Sequence, residues 1–179
     1  MNNILPIAIQ ACTDSPIAFS KFITANDTGA TGGHQAGFHI HKHAWKLFFD
    51  TPGEKGKNKD VFIKIKWQNN FETDSRFIYY GVGTRNEYRL TRFGKGFPFL
   101  NEENIGDLLI IAKKEDKYYE AFVLSSDEDI DEFFDVFGIS STETNGILRK
   151  NYRINSRSKD TAFISPIYWK INSRFSINN

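Results

Sequence analysis

Cysteine is nearly absent from this chain of 179 residues: Cys12 is the single thiol. That excludes an intrachain disulfide framework and a cysteine-based zinc finger, and it points to a reducing compartment. Long apolar runs are missing too, and none approaches the ~20 residues a membrane helix requires. The nearest, Ile4 to Ile9, is short, interrupted by Pro6 and without a basic lead, which makes it a poor signal peptide. No Gly-Lys-Ser/Thr follows the glycines at 29, 32 and 33, so a phosphate-binding P-loop is excluded. There is no internal repeat and no heptad. Aromatics are plentiful at 15%, with 40% hydrophobic and 25% charged residues, so one soluble globular domain is expected over 1–179.

The net charge of +1 conceals a segregation. Residues 1–40 sum to −1, 41–100 to +6, 101–150 to −8 and 151–179 to +4. Such blocks mean either that one face attracts anions while another is acidic, or simply that charge decorates the exposed surface.

Strand signals dominate residues 17–124. Short runs rich in aromatic or β-branched residues are read as strands at Ile17 to Thr24, Val61 to Trp67, Phe77 to Val82, Glu87 to Phe93, Asp107 to Lys113 and Tyr118 to Ser125. Val61, Ile63, Ile65 and Trp67 alternate onto one face. Connections at 25–37, 51–60 and 94–106 carry the Gly, Asn and Thr of turns. Two helices are expected. One runs from His41 to Phe49 and stops before Pro52. The other runs from Asp127 to Phe137, opened by Ser125 and Glu128 in capping-box spacing and ended by Gly138. This helix, with acidic residues packed into its first turn, accounts for much of the −8, and a solvated acidic face explains it without any function. Residues 140–179 form a less regular extension, with apolar islands at Phe163-Ile164 and Ile167-Tyr168-Trp169. The fold class is mainly β (α+β) with two flanking helices.

Four local patterns carry chemistry. Asp27-Thr28-Gly29-Ala30 matches the aspartic-protease tetrapeptide, but that site needs a second Asp from a symmetric half, and the chain holds no second copy. His39, His41 and His43 alternate and would share a face on a strand, a metal-binding arrangement that a helix starting at His41 abolishes. Asp107, Glu115 and Lys117 imitate a metal-dependent nuclease signature, yet Glu115-Asp116-Lys117 reads as a hairpin turn. Finally, Arg85, Glu87 and Arg89 alternate beside Asn86. These side-chain types read base edges: Arg pairs with guanine, Asn with adenine, and Glu accepts from the cytosine amino group. Arg92 and Lys95 suit phosphates. The competing reading of 85–89 is an exposed salt-bridge ladder.

Two segments together carry a resemblance. Ala25-Asn-Asp-Thr-Gly-Ala-Thr-Gly-Gly-His-Gln35 and Thr84-Arg-Asn-Glu-Tyr-Arg-Leu-Thr-Arg-Phe-Gly-Lys-Gly96 resemble the two signature segments of the N-terminal effector-DNA-binding domain of EcoRII-type restriction endonucleases. A looser similarity runs over 18–137. The resemblance implies a DNA-binding pseudobarrel of about seven strands, the fold also of plant auxin- and abscisic-acid-response transcription factors. In it an N-arm (28–39) and a C-arm (83–95) grip the major groove of double-stranded DNA. It further implies base-reading roles for His34, Gln35, His39, Arg85, Asn86, Glu87 and Arg89, and phosphate contacts for Lys21, Lys42, Arg92 and Lys95. The family's namesake recognises 5′-CCWGG, W being A or T. This chain departs from it at His39, Tyr88 and Gly83, where the namesake has Tyr, Lys and a basic residue, so a relative of that target is equally expected.

The expected function is therefore sequence-specific DNA binding within a type II restriction endonuclease of the bacterial cytoplasm. No catalytic residue, metal or cofactor is expected in this domain, Mg²⁺ belonging to a C-terminal nuclease domain of the same polypeptide. A small metal-dependent nuclease and a protein-interaction domain are the alternatives.

Overall fold

Alternation along residues 59–67 sets the middle of the fold. Ile63, Ile65 and Trp67 are buried while Phe62 and Lys64 are exposed, as a strand with one core face requires. A computed structural model of the protein describes residues 4–32 and 37–148. Its eight strands are β1 (Ile17–Phe22), β2 (Phe38–Ile40), β3 (Lys59–Trp67), β4 (Glu72–Tyr80), β5 (Glu87–Thr91), β6 (Leu108–Glu115), β7 (Tyr118–Leu124) and β8 (Gly146–Ile147). They form one sheet ordered β2-β5-β4-β3-β7-β6-β1-β8. Every neighbouring pair is antiparallel except β3–β7.

The sheet curls so that its two ends meet. Lys21 Nζ on β1 donates to the His39 carbonyl on β2, at 3.0 Å, and His41 N–H donates to the Asn145 side chain beside β8, at 2.9 Å. The result is a half-barrel, mainly β, as expected. Its interior is filled by Phe19, Phe38, Ile65, Trp67, Phe77, Tyr88, Leu90 and Ile111 among others. At one end Trp67 packs against Phe71, Phe93, Phe97 and Phe99.

A second core lies on the outside of β6 and β7. There α1 (Ile4–Asp14) contributes Leu5, Ala8, Ala11 and Cys12, and α2 (Asp127–Phe137) contributes Ile130, Phe133, Phe134 and Phe137. Covering on both faces explains why Leu108 to Ala112 is continuously apolar rather than alternating.

All six expected strands are present, with two short ones added. The helices are corrected. The segment 4–14 is an amphipathic helix: Pro6 sits in its first turn, where a missing N–H costs nothing. Residues 42–47 are not an α-helix but a 3-10 segment, Lys42–Leu47, N-capped by His41. The acidic helix is capped by Ser126, one residue later than expected, whose Oγ accepts from Asp129 N at 3.2 Å. Strand β4 begins five residues before the expected Phe77, because inward Thr73 and Ser75 satisfy each other and the Trp67 indole N–H inside the barrel. Polar residues hid a buried strand. Within the expected extension 140–179, Gly146–Ile147 pairs with β1, while both apolar islands lie outside the described residues.

Candidate nucleic-acid interface

Strand pleat decides which side chains can reach a ligand. Phe38, Ile40, Tyr88 and Leu90 point into the barrel, so His39 on β2 and Glu87 and Arg89 on β5 share the opposite face. His39 and Arg89 are direct register partners. The segment 23–37 enters β2 at the Thr91 end of β5, and the 81–86 turn enters β5 at Glu87. The two arms thus flank a strand pair about 16 Å long.

The 85–89 residues are connected by charge. Glu87 lies 4.0 Å from the Arg85 Nε and 3.4 Å from the Arg89 Nε. Arg89, only 8% exposed, also donates to the side-chain oxygen of Asn26, just ahead of the first arm, at 3.5 Å. Arg85 is exposed, with its guanidinium 4.8 Å over the Tyr80 ring. The ion-pair reading of this stretch is thus visible, as a ladder in which Arg89 is buried rather than exposed. Asn86 accepts from the Tyr79 hydroxyl at 2.9 Å, which fixes its amide at the tip. Burial, then Lys21 and Arg89, lower the His39 pKa, so its imidazole is neutral near pH 7.

The second arm has a buttress that sequence reasoning missed. Lys55 Nζ donates to the carbonyls of Gly83 and Arg85, and the Asn58 side-chain oxygen accepts from Gly81 N–H and Val82 N–H. A Cβ on Gly81 would collide with the Lys57 carbonyl, so only glycine lets the two loops meet. The Lys- and Gly-rich composition of 53–58 was the signal, read only as a turn. Tyr88, at the namesake's lysine position, is 4% exposed in the core, its hydroxyl accepting from Gly53 N–H at 2.8 Å.

Of the expected phosphate contacts, Lys42, Arg92 and Lys95 are exposed. Arg92 adopts φ 64°, and its guanidinium lies 5.4 Å over the exposed Phe62 ring. Lys21 is a correction: it is 2% exposed, its ammonium held inside by Asp27 and the His39 carbonyl, out of reach of a phosphate. His34 and Gln35 lie outside the described residues.

The other motifs resolve by placement. Asp27 of the protease-like tetrapeptide is fully buried in that ion pair. His41 caps the 3-10 segment rather than extending β2, and among the described residues no group of three or more potential ligands could hold a metal. Asp107 precedes β6 and Glu115 ends it, about 26 Å apart along the strand, so the nuclease-like trio does not converge. Among the described residues, no helix is long and apolar enough to cross a membrane.

The chain is 32% identical over 116 residues to the type II restriction enzyme EcoRII of Escherichia coli, a match covering 61% of this chain and 29% of that protein. It thus spans less than a third of the length of that relative. A solved structure, the B3 domain of the UbaLAI restriction endonuclease with cognate DNA, is similar at a TM-score of 0.49 and 19% identity, covering 82% of this chain and 98% of that one. The family described as restriction endonuclease EcoRII, N-terminal, matches residues 12–148, and the chain belongs to that family.

Proposed function

We propose that this chain is the sequence-specific, double-stranded-DNA-binding domain of a type II restriction endonuclease of the bacterial cytoplasm, seating the major groove between residues 28–39 and 83–95. The observation that carries the reading is the face of β2 and β5 that points away from the barrel core, where His39 and Arg89 stand side by side and Arg85, Asn86 and Glu87 continue the row. A major groove about 12 Å wide admits a β-ribbon edge of this kind. Arg85 and Arg89 read guanine, Glu87 accepts from a cytosine amino group, and Asn86 pairs with adenine. Lys42, Arg92 and Lys95 hold phosphates and set register. The same reading assigns base-reading roles to His34 and Gln35. The target is 5′-CCWGG or a close relative.

The domain itself is not catalytic. The separation of Asp107 from Glu115 along β6 supports that reading, since a Mg²⁺-assisted cut needs carboxylates converging on one ion. Mg²⁺ serves a C-terminal nuclease domain of the same polypeptide. The test is a titration of a labelled CCWGG duplex and a scrambled duplex, followed by incubation of a cognate plasmid with Mg²⁺. Tight binding to the first, weak binding to the second and an uncut plasmid are expected. Equal affinities would remove sequence-specific recognition, and linear products lost on Glu115→Ala would restore a nuclease role.

A further inference from the structure

Asp27, fully buried, gathers the root of the first arm. Its Oδ2 accepts from the Lys21 ammonium and from the Thr24 N–H and hydroxyl, both at 2.8 Å; its Oδ1 accepts from His39 N–H at 2.6 Å. Its carbonyl accepts from Gly37 N–H at 2.9 Å. Lys21 in turn donates to the His39 carbonyl. Thr24, before the arm, and Gly37 and His39, at its end, therefore converge on Asp27, Thr24 and His39 through its carboxylate and Gly37 through its main-chain carbonyl, and the Lys21–Asp27 pair also joins β1 to β2 across the seam of the half-barrel. His39 is held from both sides of its backbone.

We propose that the buried Lys21–Asp27 pair is a positioning clasp: it fixes the two ends of the first arm, at Thr24 and at Gly37–His39, in the free domain so that sequence discrimination is built in before DNA arrives. The inference rests on the DNA-binding reading above. Its physical basis is that a buried ion pair adds little net stability, because desolvating two charges offsets their attraction. What such a pair supplies is direction, through several charge-assisted hydrogen bonds that an apolar pair of similar size lacks. The preceding residue, Asn26, meets Arg89 of the other arm, so the clasp also sets where that guanidinium is caught.

The decisive variant replaces both charges at once, Lys21→Met with Asp27→Asn, so that no lone charge is left buried. Both are measured against the cognate and scrambled duplexes across a salt series, with a thermal melt alongside. The expected result is a folded domain whose preference for cognate DNA drops on the order of tenfold, with the salt slope unchanged. An unchanged preference overturns the proposal. So does equal weakening on both duplexes with a slope shallower by about one, which would make Lys21 a direct phosphate contact. Amide hydrogen exchange on the unaltered free domain judges the clasp even if the variant does not fold. Thr24, Gly37 and His39 should be protected like β1, and free-loop exchange rates there would sink the idea. Absence of any cognate preference in the unaltered protein counts against the DNA-binding reading alone, leaving the exchange rates to judge the clasp.

Discussion

Arg85 and Arg89 carry the same base-reading chemistry, but the structure separates their consequences on truncation. Arg85 is exposed, and its removal takes away a long ion pair to Glu87 and a ring contact with Tyr80. Exposed contacts of that kind are worth about 0–1 kcal/mol, so Arg85→Ala should leave folding within roughly 0.5 kcal/mol. Arg89 is 8% exposed and donates to Glu87 at 3.4 Å and Asn26 at 3.5 Å, both near the long limit of a hydrogen bond. Losing those contacts and the packing of its buried stem should cost about 1–2 kcal/mol of stability. On cognate DNA each arginine that pairs with a guanine contributes about 1–3 kcal/mol, or roughly 5- to 150-fold in affinity. Arg85→Ala should therefore weaken cognate binding alone, and Arg89→Ala should weaken cognate binding and folding together. The assay pairs an anisotropy titration on cognate and scrambled duplexes with a urea melt of each variant. Equal losses on the two duplexes, or a stability loss in Arg85→Ala as large as in Arg89→Ala, would refute the reasoning.

Salt should weaken binding steeply, with a log–log slope of about −0.9 per phosphate contacted, and Lys42→Ala, Arg92→Ala and Lys95→Ala should each weaken all duplexes similarly; a salt-independent affinity would remove the DNA face. Because His39 in the folded domain has a pKa below the ordinary 6.5 of the unfolded chain, the unfolded state binds more protons as pH drops through that value. Stability should thus be flat above about pH 7 and fall as pH falls below 6.5, a trend that thermal melts of the protein and of His39→Gln would reveal by its loss in the variant. Burial pushes the Cys12 thiol up to about 12, so alkylation at pH 8 should fail on the folded domain and proceed in guanidinium.

Some of this molecule is local and therefore legible in sequence. Alternation in Val61 to Trp67, the apolar stripe of Asp127 to Phe137 and the stop at Gly138 depend on neighbours within a turn or two, so strands and the acidic helix could be read directly. The alternation of Arg85, Glu87 and Arg89 was visible for the same reason, since pleat alone puts alternate residues on one face. Other features depend on contacts across long separations, which periodicity cannot carry. That Thr73 and Ser75 lie inside rests on Trp67 supplying a donor; that Pro6 begins a helix rests on β6 and β7 offering an apolar face. The fate of Lys21 shows the division most clearly. A lone lysine on a strand beside a signature segment reads as a phosphate contact, and only closure of the sheet, bringing β2 across to β1, turns it inward onto Asp27 and the His39 carbonyl. The sequence by itself determined which residue types stand ready to meet DNA; the curl of the sheet decided which of them face outward and which hold the arm in place, because burial is a property of neighbours that the chain meets only once it has folded.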